Sequence, residues 1–166
     1  MGGIATLWQH LWQGEREARK AFPAEALERI EAAVSESERL HRGELRVVIQ
    51  GGLGLAALRG VPDSRSLALT HFAMQGVWDT EAHSGVLLYV LMAERRLEII
   101  ADRGIHRRVA QQVWDAIVQD AVQRFAAGEP LEGVLRAVSA LSALLQTHFP
   151  AGGQNPDELP NRPVRL

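Results

Sequence analysis

Ile4, Leu7, Trp8, Leu11 and Trp12 recur at helical spacing and predict a short amphipathic helix over residues 1–21, with Arg16, Arg19 and Lys20 after its apolar part. Phe22-Pro23 opens a second helix with Leu27, Ile30, Val34 and Leu40 as its buried stripe, and Gly43 supplies a stop. The β-branched run Leu45-Arg46-Val47-Val48-Ile49 predicts the first strand. Ser64 to Gln75 reads as a helix capped by Ser64, with Leu67, Ala68 and Phe72 facing inward and Gly76 ending it. Val86 to Met92 is apolar on both faces, the pattern of a central strand covered on both sides. Leu97 to Ala101 follows closely enough to form a hairpin with it. After Asp102-Arg103-Gly104 the spacing of Val109, Val113, Ile117 and Ala121 predicts one long helix to about Phe125. Gly128 breaks it, and Pro130 opens a last helix with Leu131, Leu135, Val138, Leu141 and Leu145 inward. The segment 150–166 holds four prolines and is expected to be irregular.

This order predicts an α/β fold: a mixed sheet of three to four strands with helices on both faces. The chain of 166 residues suits one domain, and its 46% apolar and 23% charged residues are ordinary globular usage. A net charge of -2 argues against nucleic acid as a partner. The absence of cysteine excludes a disulfide framework, a thiolate metal site and a cysteine nucleophile, and it fits a reducing cytosol. No apolar stretch approaches the roughly 20 residues that span a bilayer. Gly2 to Thr6 match a short myristoylation pattern. The first helix has two readings: an interfacial or partner-docking element, which makes a protein partner or peripheral contact with the inner membrane an expectation, or a helix folded back on its own core or on a second copy. The expected location is the cytoplasm.

Three groups of residues could carry chemistry. Asp79, Glu81 and His83 enter the second strand, and Asp102 leaves its hairpin partner. Antiparallel pairing can bring all four to one edge as a divalent-metal or acid/base site; capping and turn chemistry is the alternative. Arg103, His106, Arg107 and Arg108 sit at the expected start of the long helix. With free backbone N–H groups they suggest a phosphate cradle, or else a solvated helix start paired with local acids. Glu38 and His41 share a helical face and Glu44 enters the first strand, which makes a carboxylate–imidazole acid/base pair or a simple dipole contact. No nucleophile elbow, Walker motif, dinucleotide glycine motif or HExxH spacing occurs.

Gly85-Val86-Leu87-Leu88-Tyr89-Val90, the tight turn, and Leu97-Glu98-Ile99-Ile100-Ala101-Asp102-Arg103-Gly104-Ile105 resemble the centre of the TPM domain. That family includes thylakoid-lumen acid phosphatases, photosystem-repair proteins and many bacterial proteins of unassigned role. The resemblance covers residues 22–149. It extends to Phe149-Pro150 and to Glu158-Leu159-Pro160-Asn161-Arg162-Pro163, similar to the tail of a short, soluble bacterial subgroup. It implies a mixed sheet sandwiched by helices, Ca2+ or another divalent metal bound in some members, and phosphatase activity in some. Where many members carry an acidic residue and an asparagine before the glycine of the second strand, this chain has His83-Ser84, which removes a carboxylate that hard cations favour. The expected role is a binding or regulatory domain acting through its strand-end face. A divalent-metal-dependent phosphatase and a calcium-binding structural module are the alternatives.

Overall fold

The computed structural model describes residues 4–153 and 156–166, so Gly2 and Gly3 of the acylation pattern lie outside the described residues. The chain begins with α1 (Ile4–Trp8), a π-helical turn (Gln9–Gln13) and α2 (Gly14–Ala21), followed by α3 (Ala24–Glu38). Strand β1 (Glu44–Gln50) leads through a 3-10 turn (Gly54–Arg59) to α4 (Ser64–Met74) and β2 (Gly85–Leu91). A tight turn gives β3 (Arg96–Ala101), then α5 (Arg103–His106), α6 (Gln111–Ala126), α7 (Pro130–His148) and a short β4 (Val164–Arg165).

The sheet order is β3-β2-β1-β4. β1 pairs parallel with both β2 and β4, and β2 pairs antiparallel with β3. The parallel β1–β2 step requires a crossover, and α4 is that crossover. Side chains alternate across the pleat. Val47, Ile49, Val86, Leu88 and Val90 therefore join Ile30, Val34, Trp114, Ala121, Leu141 and Leu145 in one core. Val48, Leu87, Tyr89, Leu91 and Ile100 join Ala68, Val77 and Leu159 in the other. Every residue of β2 is buried, as its unbroken apolar run predicts.

Four expectations need correction. The helix after β3 is two helices, not one. Arg108 Nη1 donates to the carbonyl of His148, the Arg108 guanidinium lies over the Phe149 ring, and Val109 is buried. The chain is thus drawn against the end of α7 and restarts at Gln111 after an extended Ala110. Leu40 lies beyond the end of α3 and is exposed. Asp63, not Ser64, caps α4, accepting from the Ser66 N–H at 2.9 Å, while the Ser64 hydroxyl donates to Glu98. The proline-rich tail is also not wholly irregular. The Leu166 N–H donates to Ile49 O and the Gly51 N–H to Leu166 O, which adds β4 to the free edge of β1.

The first helical stretch lies against the body by the side that carries Gly14 and Ala18, with Leu7 and Leu11 half-buried. His10, Gly14 and Ala18 are buried, whereas Trp8 and Trp12 face solvent. A Cβ on Gly14 would stand 2.1 Å from the Gly51 carbonyl oxygen, so only glycine permits this approach.

Candidate functional site: a carboxylate cluster at the strand-start edge

Parallel pairing sets Glu44, the first residue of β1, beside Gly85, the first of β2. Antiparallel pairing then brings the end of β3 to the same edge, where the Asp102 N–H donates to Gly85 O at 2.9 Å. Glu38 arrives at this rim from the end of α3. The C-terminal tail crosses the rim, held by Arg46, which donates to the carbonyls of Pro160 and Arg162.

Carboxylate oxygens of Glu38, Glu44 and Asp157 lie within 4.8 Å of one another. Glu44 accepts from the Glu158 N–H through Oε1 and the Leu159 N–H through Oε2, each at 3.2 Å. Glu38 Oε1 accepts from the Leu45 N–H at 3.3 Å. Glu38 is 9% exposed and Glu44 2%, while Asp157 opens the cluster to solvent. Burial pushes the Glu38 carboxyl up to about 8; the charge of Glu44 adds to this, Asp157 adds less, and the Leu45 N–H and the Asn161 amide oppose it. Burial likewise raises Glu44 to about 7, against the two N–H bonds from the tail. Two carboxyls held this close out of water favour a shared proton or a bound cation over two bare charges. Asn161 Oδ1 is buried and makes no hydrogen bond among the described residues, while its amide nitrogen donates to Ser35 Oγ.

His41 is buried behind this group. Its Nδ1 donates to Gly43 O at 2.9 Å, and the Ser37 hydroxyl lies 3.2 Å from Nε2. Burial lowers its pKa, so it stands as a neutral ring holding the turn between α3 and β1.

A second polar group shares the rim. His83 Nδ1 lies 3.4 Å from Asp102 Oδ2, and Arg103 Nη2 lies 2.7 Å from His83 Nε2. Asp102 Oδ1 accepts from the Arg103 N–H at 2.6 Å and caps α5. His83 itself is left-handed, with φ 51°. Gly104 fits beneath it, since a Cβ there would stand 2.4 Å from His83 O. Of the four residues expected to converge, His83 and Asp102 meet. Asp79 and Glu81 are exposed and make no side-chain contact with that pair among the described residues; the Glu81 N–H instead donates to the Glu158 carboxylate. The basic group does not sit at the start of a long helix. Arg103 and His106 lie on four-residue α5 and Arg107 and Arg108 follow it, with Arg108 committed to His148.

The sequence reading named Glu38 and Glu44 as an acid/base pair with His41 but missed Asp157, Glu158 and Asn161. The available signal was the density of polar side chains among the tail prolines, a composition that also fits an unpacked end.

A helical layer built mainly of α3, α6 and α7 on one face of a four-stranded mixed sheet, with α4 and the tail on the other, defines the class of α/β sandwich. The model of the TPM domain matches residues 17–144, and the chain belongs to that family. The fold is similar to the BA42 protein from the psychrophilic bacterium Bizionia argentinensis, with TM-score 0.76 and 25% identity over 86% of this chain and 94% of that one. It is also similar to the N-terminal domain of a protein from P. gingivalis, with TM-score 0.64 and 19% identity over 80% of this chain and 83% of that one. No curated protein matches the sequence.

Proposed function

We propose that this TPM domain is a binding or regulatory module that takes a hard divalent cation, calcium or magnesium, at Glu38, Glu44 and Asp157. The single observation that carries the reading is the approach of three carboxylates within 4.8 Å, two of them buried and held above the usual carboxylate range. Oxygen donors suit hard cations, and a cation replaces the proton that burial otherwise imposes. The Asn161 amide of the tail also hydrogen-bonds Glu38. The tail supplies Asp157 and Asn161 and also hydrogen-bonds Glu44. Cation binding therefore tightens the tail across the rim, and that is the regulatory element of the reading.

Thermal melting of the full chain tests this. Calcium or magnesium in large excess over Kd raises Tm by several degrees, as ligand linkage requires. Asp157→Asn, at an exposed site, keeps the cation-free Tm and loses most of the rise, whereas Asp102→Asn keeps it. No rise in the parent chain, or a full rise in Asp157→Asn with Glu38→Gln, contradicts the proposal. Turnover of an aryl phosphate on the same samples, dependent on cation and lost in Asp157→Asn, favours the metal-dependent phosphatase over the regulatory module.

A further inference from the structure

An amphipathic helix normally turns its apolar side toward the body it packs on. The first helical stretch of this chain does so only in part: Leu7 and Leu11 are half-buried, while its largest apolar side chains point away. Its body side is His10, Gly14 and Ala18, and His10 Nε2 lies 3.2 Å from Glu94 Oε1 in the turn between β2 and β3. Its outer side carries Ile4, Trp8 and Trp12, which are 91%, 60% and 64% exposed. Leu55, on the 3-10 turn that packs against the π-helical turn, adds a fourth apolar side chain at 76% exposure. The helix cannot roll these residues inward. A Cβ on Gly14 would meet both Gly51 O and the Ala93 Cβ at 2.7 Å or less, so no larger side of the helix fits against β1 and the hairpin turn.

We infer that this outward ridge docks on an anionic lipid surface. Three features favour a bilayer over a protein groove. The ridge is built on two tryptophans, whose amphipathic rings settle at the membrane–water boundary. Its apolar side chains protrude individually, as insertion between headgroups requires. Counting on by helical spacing, Arg16 and Lys20 continue the same outer side, both exposed. Neither makes an ion pair among the described residues, unlike neighbouring Arg19, which pairs with Glu15. The ridge thus joins apolar insertion to uncommitted positive charge, although the whole chain carries -2. Among the described residues no helix is long and apolar enough to cross a membrane, so the contact is peripheral. The inference does not depend on the cation site.

Vesicle co-sedimentation of the full chain tests it, with phosphatidylcholine vesicles alone and with phosphatidylglycerol added. The chain pellets with the anionic vesicles and its tryptophan emission shifts to the blue. Trp8→Ala with Trp12→Ala lowers the bound fraction on the order of tenfold or more, and Arg16→Glu with Lys20→Glu does the same and removes the salt dependence. Trp78→Ala, at an exposed tryptophan elsewhere, leaves binding unchanged. Melting curves confirm that each variant is folded. Absence of binding to anionic vesicles overturns the inference. So does binding unaltered by the Trp8 and Trp12 changes, or a concentration-dependent dimer that those changes abolish.

Discussion

Two carboxylate groups share the strand-start edge, and they have opposite electrostatic surroundings. Asp102 faces an imidazole, accepts a backbone N–H, and stands near a guanidinium that reaches the same imidazole. Glu38 and Glu44 face each other and Asp157 from positions nearly closed to water. The first group has a basic ring and a guanidinium beside it and gives a helix cap, although Asp102 Oδ2 makes no hydrogen bond among the described residues. The second has a surplus of negative charge that only a proton or a cation relieves. The lesson is that residue type and edge position do not make a binding site. Solvation and the nearest counter-charge decide.

The largest contrast lies in the response to cations. Saturating calcium stabilises the parent chain by about 2–4 kcal/mol. Glu38→Gln with Asp157→Asn abolishes that gain and Asp102→Asn preserves it, as chemical denaturation with and without chelator will show.

Next comes pH in the absence of divalent cations. The folded values of Glu38 and Glu44, about 8 and about 7, stand above the ordinary carboxyl value of 4.5. A raised carboxyl favours folding while it is protonated. Its contribution is complete below pH 4.5 and is lost as pH rises through 7 and 8. The fold therefore weakens by a few kcal/mol between pH 5 and 8, on the order expected for partly screened groups. Glu38→Gln flattens most of that slope, and Asp102→Asn leaves it in place. Added cation opposes the loss, since it competes with the proton.

A smaller effect belongs to the corner under His83. Gly104→Ala forces a methyl group toward His83 O and Ala82 O and costs about 1–3 kcal/mol, read from denaturant midpoints. Smallest of all is Arg103→Gln. Its partner His83 is 42% exposed at the side chain, so the change costs less than about 1 kcal/mol. A loss of several kcal/mol there, with the cation response intact, inverts the ranking of the two groups.

The hairpin was legible in the sequence because β2 is apolar at every position, and the pairing of Val86 with Ala101 follows from the short turn. The edge on which His83 and Asp102 meet was legible for the same reason, whereas Glu44 joins it through the parallel pairing of β1 with β2, which the strand patterns alone do not specify. The break before α6 was not. Val109 and Val113 keep helical spacing through it, and the cause is a distant contact of Arg108 with His148 and Phe149. The outward turn of Trp8 and Trp12 was hidden too, because periodicity marks two sides of a helix without saying which one the body accepts. Glycine at 14 was the missing clue. Asp157 and Asn161 escaped because the tail reaches Glu44 and Ser35 across more than a hundred residues of chain, and sequence spacing carries no record of such a return.

Titration calorimetry of calcium into the full chain at pH 7, in two buffers of different ionisation enthalpy, tests the central claim most directly. The account predicts a single site whose apparent heat differs between buffers, because the carboxyl pair gives up a proton as the cation enters. It also predicts loss of that signal in Asp157→Asn. No binding heat in either buffer, or binding without proton release that survives Asp157→Asn, contradicts it.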